Sequence, residues 1–188
     1  SVKITCCDAS EHLKSVMKNF KGVVAFSATV KPFNYYGAMC GLEGDKYRHV
    51  ELQSPFPAEK RKVLVIPQVS TRYRDRSRNY GKIADAIARL VQIQKGNYLI
   101  FFPSFDFLQQ VLSLVKAEGY RFLVQERHMS HDDANACLEA LKGQTKRVLL
   151  FAVQGGIFAE GVDYPGDTAI GVIIVGPGLP SFEFERTL

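Results

Sequence analysis

The sequence has no apolar run near the ~18 residues that a membrane-spanning helix needs. Its first residues also lack the charged, apolar and small-residue succession of a signal peptide, so a soluble chain with no membrane partner is expected. Cysteine is scarce. Cys6, Cys7, Cys40 and Cys137 include no Cys-x-x-Cys pair with metal spacing, and the apolar contexts of Cys6, Cys7 and Cys137 predict buried thiols. A reducing, intracellular compartment follows from that usage: the cytoplasm in a prokaryote, the nucleus in a eukaryote. His12, His49, His128 and His131 have neither ligand spacing nor a nucleophile motif beside them, so no metal site is expected and they read as surface or packing residues. Internal repeats and low-complexity tracts are absent too.

What remains is ordinary globular material. The 188 residues are 46% hydrophobic and 23% charged, enough for one domain with a sizeable core and cramped for two. The formal charge of +5 is compatible with a polyanionic partner but is shared by many proteins without one.

Buried strands are expected at Tyr98 to Phe102 and Val148 to Val153, both continuous apolar runs, and at Arg121 to Gln125 and Ala169 to Val175. Gly22 to Phe26 reads as a further buried strand, Val2 to Cys6 as a short one, and Tyr47 to Leu52 and Lys62 to Ile66 look like strands as well. Between them lie helix signals. Asp8 to Glu11 opens one with Leu13, Val16, Met17 and Phe20 on its apolar face, and Pro32 opens a short or irregular one among glycines. Ile83, Ile87, Leu90 and Val91 repeat at helical spacing, as do Phe105, Leu108, Val111, Leu112 and Val115; Ser130 caps a helix whose inward positions include Ala134, Cys137, Leu138 and Leu141. This alternation predicts a three-layer α/β domain with a mostly parallel sheet.

In such a sheet ligands gather beyond the C-terminal strand ends, which points to Ser27 to Thr29, Pro103 to Phe105 and Gln154 to Asp163 as candidates for one shared edge. Gln154-Gly155-Gly156 permits a sharp turn and close approach to backbone N–H groups. Glu160, Gly161 and Asp163 then place two carboxylates just past it. They could meet a ligand, Asp163 through a ribose hydroxyl, or be solvated acids of a tight turn. Ser104 could cap the following helix or present itself and the helix N-terminus to a phosphate. Ser27 and Thr29 could contact phosphate or close a turn. Arg72, Arg74, Arg76 and Arg78 alternate with Tyr73 and Asp75, offering guanidinium groups for phosphate and a ring for stacking, or forming a solvated loop that leads into a helix.

Taken as an ordered set, these residues resemble the C-terminal motor half of the XPD/DinG family of superfamily-2 DNA helicases over nearly the whole chain. Cys7-Asp8-Ala9-Ser10 and Val23 to Val30 look like the third helicase motif and the strand leading into it. Arg78-Asn79-Tyr80-Gly81 resembles a family helix start, Phe101 to Phe105 looks like motif IV, Gly155 to Asp163 like motif V, and Gly176 to Pro180 like the segment after it. The resemblance implies a RecA-like domain of the P-loop NTPase type. It assigns Ser104 and the Gly155 backbone to single-stranded DNA, Glu160, Gly161 and Asp163 to the edge facing an ATP held by the first motor domain, and Ser27 and Thr29 to transmitting nucleotide state. Residues 1–188 then form one motor domain, with residues 1–30 candidates for belonging structurally to the domain before it.

The departures matter as much. No Gly-x-x-x-x-Gly-Lys-Ser/Thr phosphate loop and no Asp-Glu-x-His box occur, the chain stops before the family's motif VI arginine, and the cysteines do not match the family's iron–sulfur pattern. ATP and Mg²⁺ are therefore expected only in an intact parent, none bound to these residues alone, and any iron–sulfur cluster outside them. The expected partners are single-stranded DNA and the first motor domain of the same polypeptide. Two other readings share the sheet: a non-catalytic RecA-like module that binds nucleic acid or protein, and a small nucleotide-using transferase, which would need a complete site.

Overall fold

A computed structural model describes residues 6–42, 47–143 and 147–179. Two compact units divide the chain between Val63 and Leu64.

In the second unit a four-stranded parallel sheet has the order β2-β3-β1-β4, built from β1 (Tyr98–Phe102), β2 (Tyr120–Val124), β3 (Arg147–Val153) and β4 (Gly171–Ile174). The two continuous apolar runs are the two central strands, because only a strand covered on both faces can bury every side chain. Alternate residues of these strands serve different cores. Tyr98, Ile100, Phe102, Leu149, Phe151 and Val153 pack with two helices, α3 (Arg76–Ile93) and α4 (Phe105–Leu112). Leu99, Phe101, Val148, Leu150 and Ala152 pack with Ala134 and Leu141 of a third, α5 (His131–Lys142), and with Phe158. The result is the three-layer α/β arrangement expected.

Local signals set the helix starts. Ser104 accepts from the Phe107 N–H at 3.3 Å and Ser130 from the Asp133 N–H at 3.1 Å, each satisfying an N–H that has no partner inside its helix. Helix α3 begins at Arg76, before its apolar repeat, and buries Asn79, Ile83, Ala84, Ile87 and Val91. At its other end, the Tyr120 hydroxyl donates to Val91 O and the Tyr98 hydroxyl to Gln94 O, both at 2.6 Å, supplying donors to carbonyls that the ending helix leaves free.

The first unit holds two short helices, α1 (Ser10–Met17) and α2 (Phe33–Met39), the latter entered from Pro32 as expected. Asp8 accepts from the Ser10 N–H at 2.8 Å, and that bond holds its carboxyl below the ordinary value. Several sequence expectations are corrected here. Gly22 to Phe26, Tyr47 to Leu52 and Lys62 to Ile66 are not strands. Their β-rich composition supplies propensity, but a strand also needs a neighbour for its N–H and C=O groups, and the four sheet strands pair only with one another. Val24 is 86% exposed and Phe26 92%. Helix α1 fully buries none of its apolar face, with Leu13 and Met17 half-buried, and Cys6 and Cys7 are exposed rather than buried, while Cys137 is half-buried. Only Cys6 of the expected strand from Val2 to Cys6 lies within the described residues.

Candidate nucleic-acid interface

Register brings the C-terminal strand ends together. Phe102 pairs with Val153, Phe101 with Ile174 and Val124 with Phe151. Beyond the ladders, Gln154 N donates to Phe102 O and Val175 N to Phe101 O at 2.9 Å, and Gln125 N to Phe151 O at 2.8 Å. Pro103-Ser104, Gln154 to Gly156, Gln125 and Gly176 are therefore the exits of adjacent strands on one edge. A buried strand before Ser27 and Thr29 would set them beside it, and that strand is absent, a correction. They lie in the first unit on an exposed segment with no strand before it, where the Thr29 N–H donates to Ser27 Oγ at 3.2 Å.

Ser104 is half-buried, with its oxygen engaged as the α4 cap. Its hydroxyl hydrogen remains a donor for an anion at the same helix start. Negative charge is already present there: Asp106, in the first turn of α4, pairs with Arg127 at 2.7 Å, and the Arg127 guanidinium lies 5.1 Å from the Phe105 ring centre.

After β3 the backbone turns at Gly155, where φ is +69° and a side chain would be strained. Gly155 is exposed and its N–H makes no hydrogen bond among the described residues. Phe158, 1% exposed, anchors the following segment in the core, and the Tyr164 hydroxyl reaches back to its carbonyl at 2.9 Å. Burial raises the Tyr164 phenol above its ordinary pKa. Between these anchors Glu160, Gly161 and Asp163 are all exposed, and neither carboxylate takes a hydrogen bond or ion pair among the described residues. Asp163 is thus no cap of its own turn. Two free carboxylates on an anchored loop can receive ligand hydroxyls or cations without giving up a partner.

The arginines separate into two kinds. Arg72 and Arg74 are exposed on the turn Tyr73–Asp75, whose Tyr73 ring is 88% exposed. Arg76 is half-buried, its guanidinium 4.7 Å from the Phe107 ring centre and 5.5 Å from that of Tyr73, and its Nε donates to Thr71 O at 3.0 Å. The loop is fixed further by Ser70, whose N–H donates to Asn79 Oδ1 at 3.3 Å and whose hydroxyl donates to Asp75 at 3.0 Å, and by the Asn79 amide, which donates to Asp75 O at 2.8 Å. Sequence reasoning missed Gln125, Asn79 and Arg127. Gln125 and Arg127 are placed by contacts more than twenty residues away in sequence, whereas the bonds of Asn79 are local and it alone carried a signal, as part of the Arg78 to Gly81 helix start. Among the described residues no cluster of His, Cys, Asp or Glu could hold a metal ion, and no helix is long and apolar enough to cross a membrane.

A parallel sheet with helices on both faces and its polar loops at the strand exits makes a three-layer α/β domain, consistent with the RecA-like type. A solved structure of XPD in its apo form superposes on 63% of this chain and 24% of its own with a TM-score of 0.52 at 24% identity. The family model for the helicase C-terminal domain matches residues 87–187, more than half of the chain. The chain belongs to that family, as the C-terminal motor half of the XPD/DinG group of superfamily-2 helicases. Among similar proteins are a probable ATP-dependent helicase of Methanocaldococcus jannaschii, 28% identical over 88% of this chain and 25% of that protein. Another is the general transcription and DNA repair factor IIH helicase subunit XPD/RAD3 of Saccharomyces cerevisiae, 23% identical over 93% of this chain and 24% of that protein. The chain spans about a quarter of the length of these relatives.

Proposed function

We propose that this chain is the second motor domain of an ATP-dependent DNA helicase, which in its parent couples ATP hydrolysis to movement along single-stranded DNA and to duplex unwinding. The observation that carries the reading is the shared strand-exit edge, which sets a capped helix start at Ser104 and a free N–H at Gly155 on adjacent strands of a helicase-family domain. Ser104 and the Gly155 N–H contact backbone phosphates, and Arg72 and Arg74 add charge that holds the strand. Arg76, assigned by sequence to the same task, serves it through the loop it fixes. Glu160, Gly161 and Asp163 face the nucleotide and couple it to the strand.

The residues present do not make an ATP–Mg²⁺ site by themselves. They include no phosphate loop and no acidic metal cluster among the described residues, so the first motor domain holds the nucleotide in this reading. The exposed apolar segment Val23 to Phe26, with Ser27 and Thr29 after it, then belongs structurally with that first domain. An iron–sulfur cluster, if the parent has one, is held elsewhere, and the site of action is intracellular.

Titrating a labelled single-stranded oligonucleotide with this chain at several salt concentrations tests the reading. Arg72→Ala and Arg74→Ala should each lower the log–log salt slope by about 0.7. Unchanged slope and affinity in both variants would return the loop to a purely structural role.

A further inference from the structure

Two glutamines left unused by these roles flank the glycine turn. Gln125 is 5% exposed, and an amide so buried must be bonded to be tolerated. Its Oε1 accepts from Val153 N at 3.1 Å. Strand β2 ends at Val124 and the Gln125 N–H makes the last bond to β3, so the side chain takes the place of the next strand residue. Against the same amide rests Gly156, where a Cβ would lie 2.6 Å from Gln125 Nε2 and 2.7 Å from Oε1. Only glycine fits there without displacing the glutamine.

On the other side, Gln154 Nε2 donates to Gly176 O at 2.7 Å. Gly176 in turn packs on Thr71, whose Oγ1 lies 2.6 Å from where a Cβ would stand, and the Thr71 carbonyl takes the Arg76 bond. A continuous set of contacts thus runs from the glycine turn to the arginine loop.

We propose that Gln125 and Gln154 are positioning residues for nucleic acid: they fix the turn so that the free Gly155 N–H is aimed at a backbone phosphate, and Gln154 ties that turn to the Arg72–Arg74 loop so both contact one strand. The inference rests on the nucleic-acid reading above. A mispositioned N–H loses one charge-assisted hydrogen bond to phosphate, which corresponds to about ten-fold weaker binding, and because the N–H is uncharged its contact releases no counterion and its loss leaves the salt slope in place.

The test uses a labelled oligothymidine and the 188-residue chain carrying Gln125→Met, Gln154→Met, Arg74→Ala, or Gln154→Met with Arg74→Ala. Thermal unfolding establishes that each variant is folded. Each methionine variant should bind about ten-fold more weakly. Arg74→Ala should have a smaller effect in the Gln154→Met background than alone, the mark of coupling between turn and loop. Folded methionine variants that bind with unchanged affinity, while Arg74→Ala keeps its full effect, overturn the inference and leave the nucleic-acid reading standing. Absence of binding by the unsubstituted chain at low salt defeats both. If Gln125→Met does not fold, the half-buried Gln154→Met decides the matter.

Discussion

Asn97 joins three parts of the sheet unit, and its removal gives a sharp test of the fold. The side chain sits just before β1 in a residue 9% exposed. Its Nδ2 donates to Leu141 O at 2.7 Å, where α5 ends, and to Thr168 O at 3.1 Å in the turn before β4; its Oδ1 accepts from Val148 N at 2.9 Å in β3. Asn97→Ala removes all three bonds and leaves an N–H and two carbonyls to find other partners. At roughly 1 kcal/mol per bond the loss is about 3 kcal/mol, a large fraction of the ~5–15 kcal/mol that stabilises a typical domain. Asn97→Asp separates donor from acceptor. The carboxylate still accepts from Val148, but it cannot donate and now faces two carbonyl oxygens, so its folded pKa must exceed the unfolded value of about 3.9. An acid with a raised folded pKa destabilises progressively as pH climbs above the unfolded pKa and levels off beyond the folded one. The Asp variant should therefore lie closer to the parent at pH 4 than at pH 7. Urea unfolding at both pH values, with amide exchange at Val148 to Ala152 reporting the sheet unit separately, measures these effects. A loss below about 1 kcal/mol for Asn97→Ala would refute the argument that these bonds hold the unit together.

Three further outcomes are expected. Asp163→Ala should change stability by less than about 0.5 kcal/mol, because the carboxylate is exposed and unbonded, yet lower ATP turnover in the intact enzyme; a marked unfolding shift with normal turnover would reverse that assignment. Burial raises the Tyr164 pKa, so the fold prefers the neutral phenol and stability should fall as pH rises above the unfolded value of about 10. Tyr164→Phe should lessen that alkaline loss while costing about 1 kcal/mol at neutral pH for the bond to Phe158, and equal alkaline profiles would exclude the phenol as its source. Amides of Val23 to Phe26 should exchange rapidly in a dilute monomer, whereas slow exchange would place the segment in a sheet of this chain.

The fold of the sheet unit was legible because its signals are local. Tyr98 to Phe102 and Val148 to Val153 announce central strands by unbroken apolarity, and Ser104 and Ser130 announce helix starts by chemistry acting over three residues. The ordering of these elements also sufficed to foresee that Ser104 and Gly155 would share an edge, since parallel strands must expose the same end. Composition could not say whether Val23 to Phe26 or Tyr47 to Leu52 would find a partner strand, because pairing depends on what lies alongside and not on the segment itself. Nor could it divide Arg76, bonded to Thr71 and stacked on Phe107, from the exposed Arg72 and Arg74 beside it. Asn97 and Gln125 became visible only in three dimensions: each satisfies backbone groups brought to it by strands and helices tens of residues away, and a hydrogen bond of that reach leaves no periodicity in the sequence.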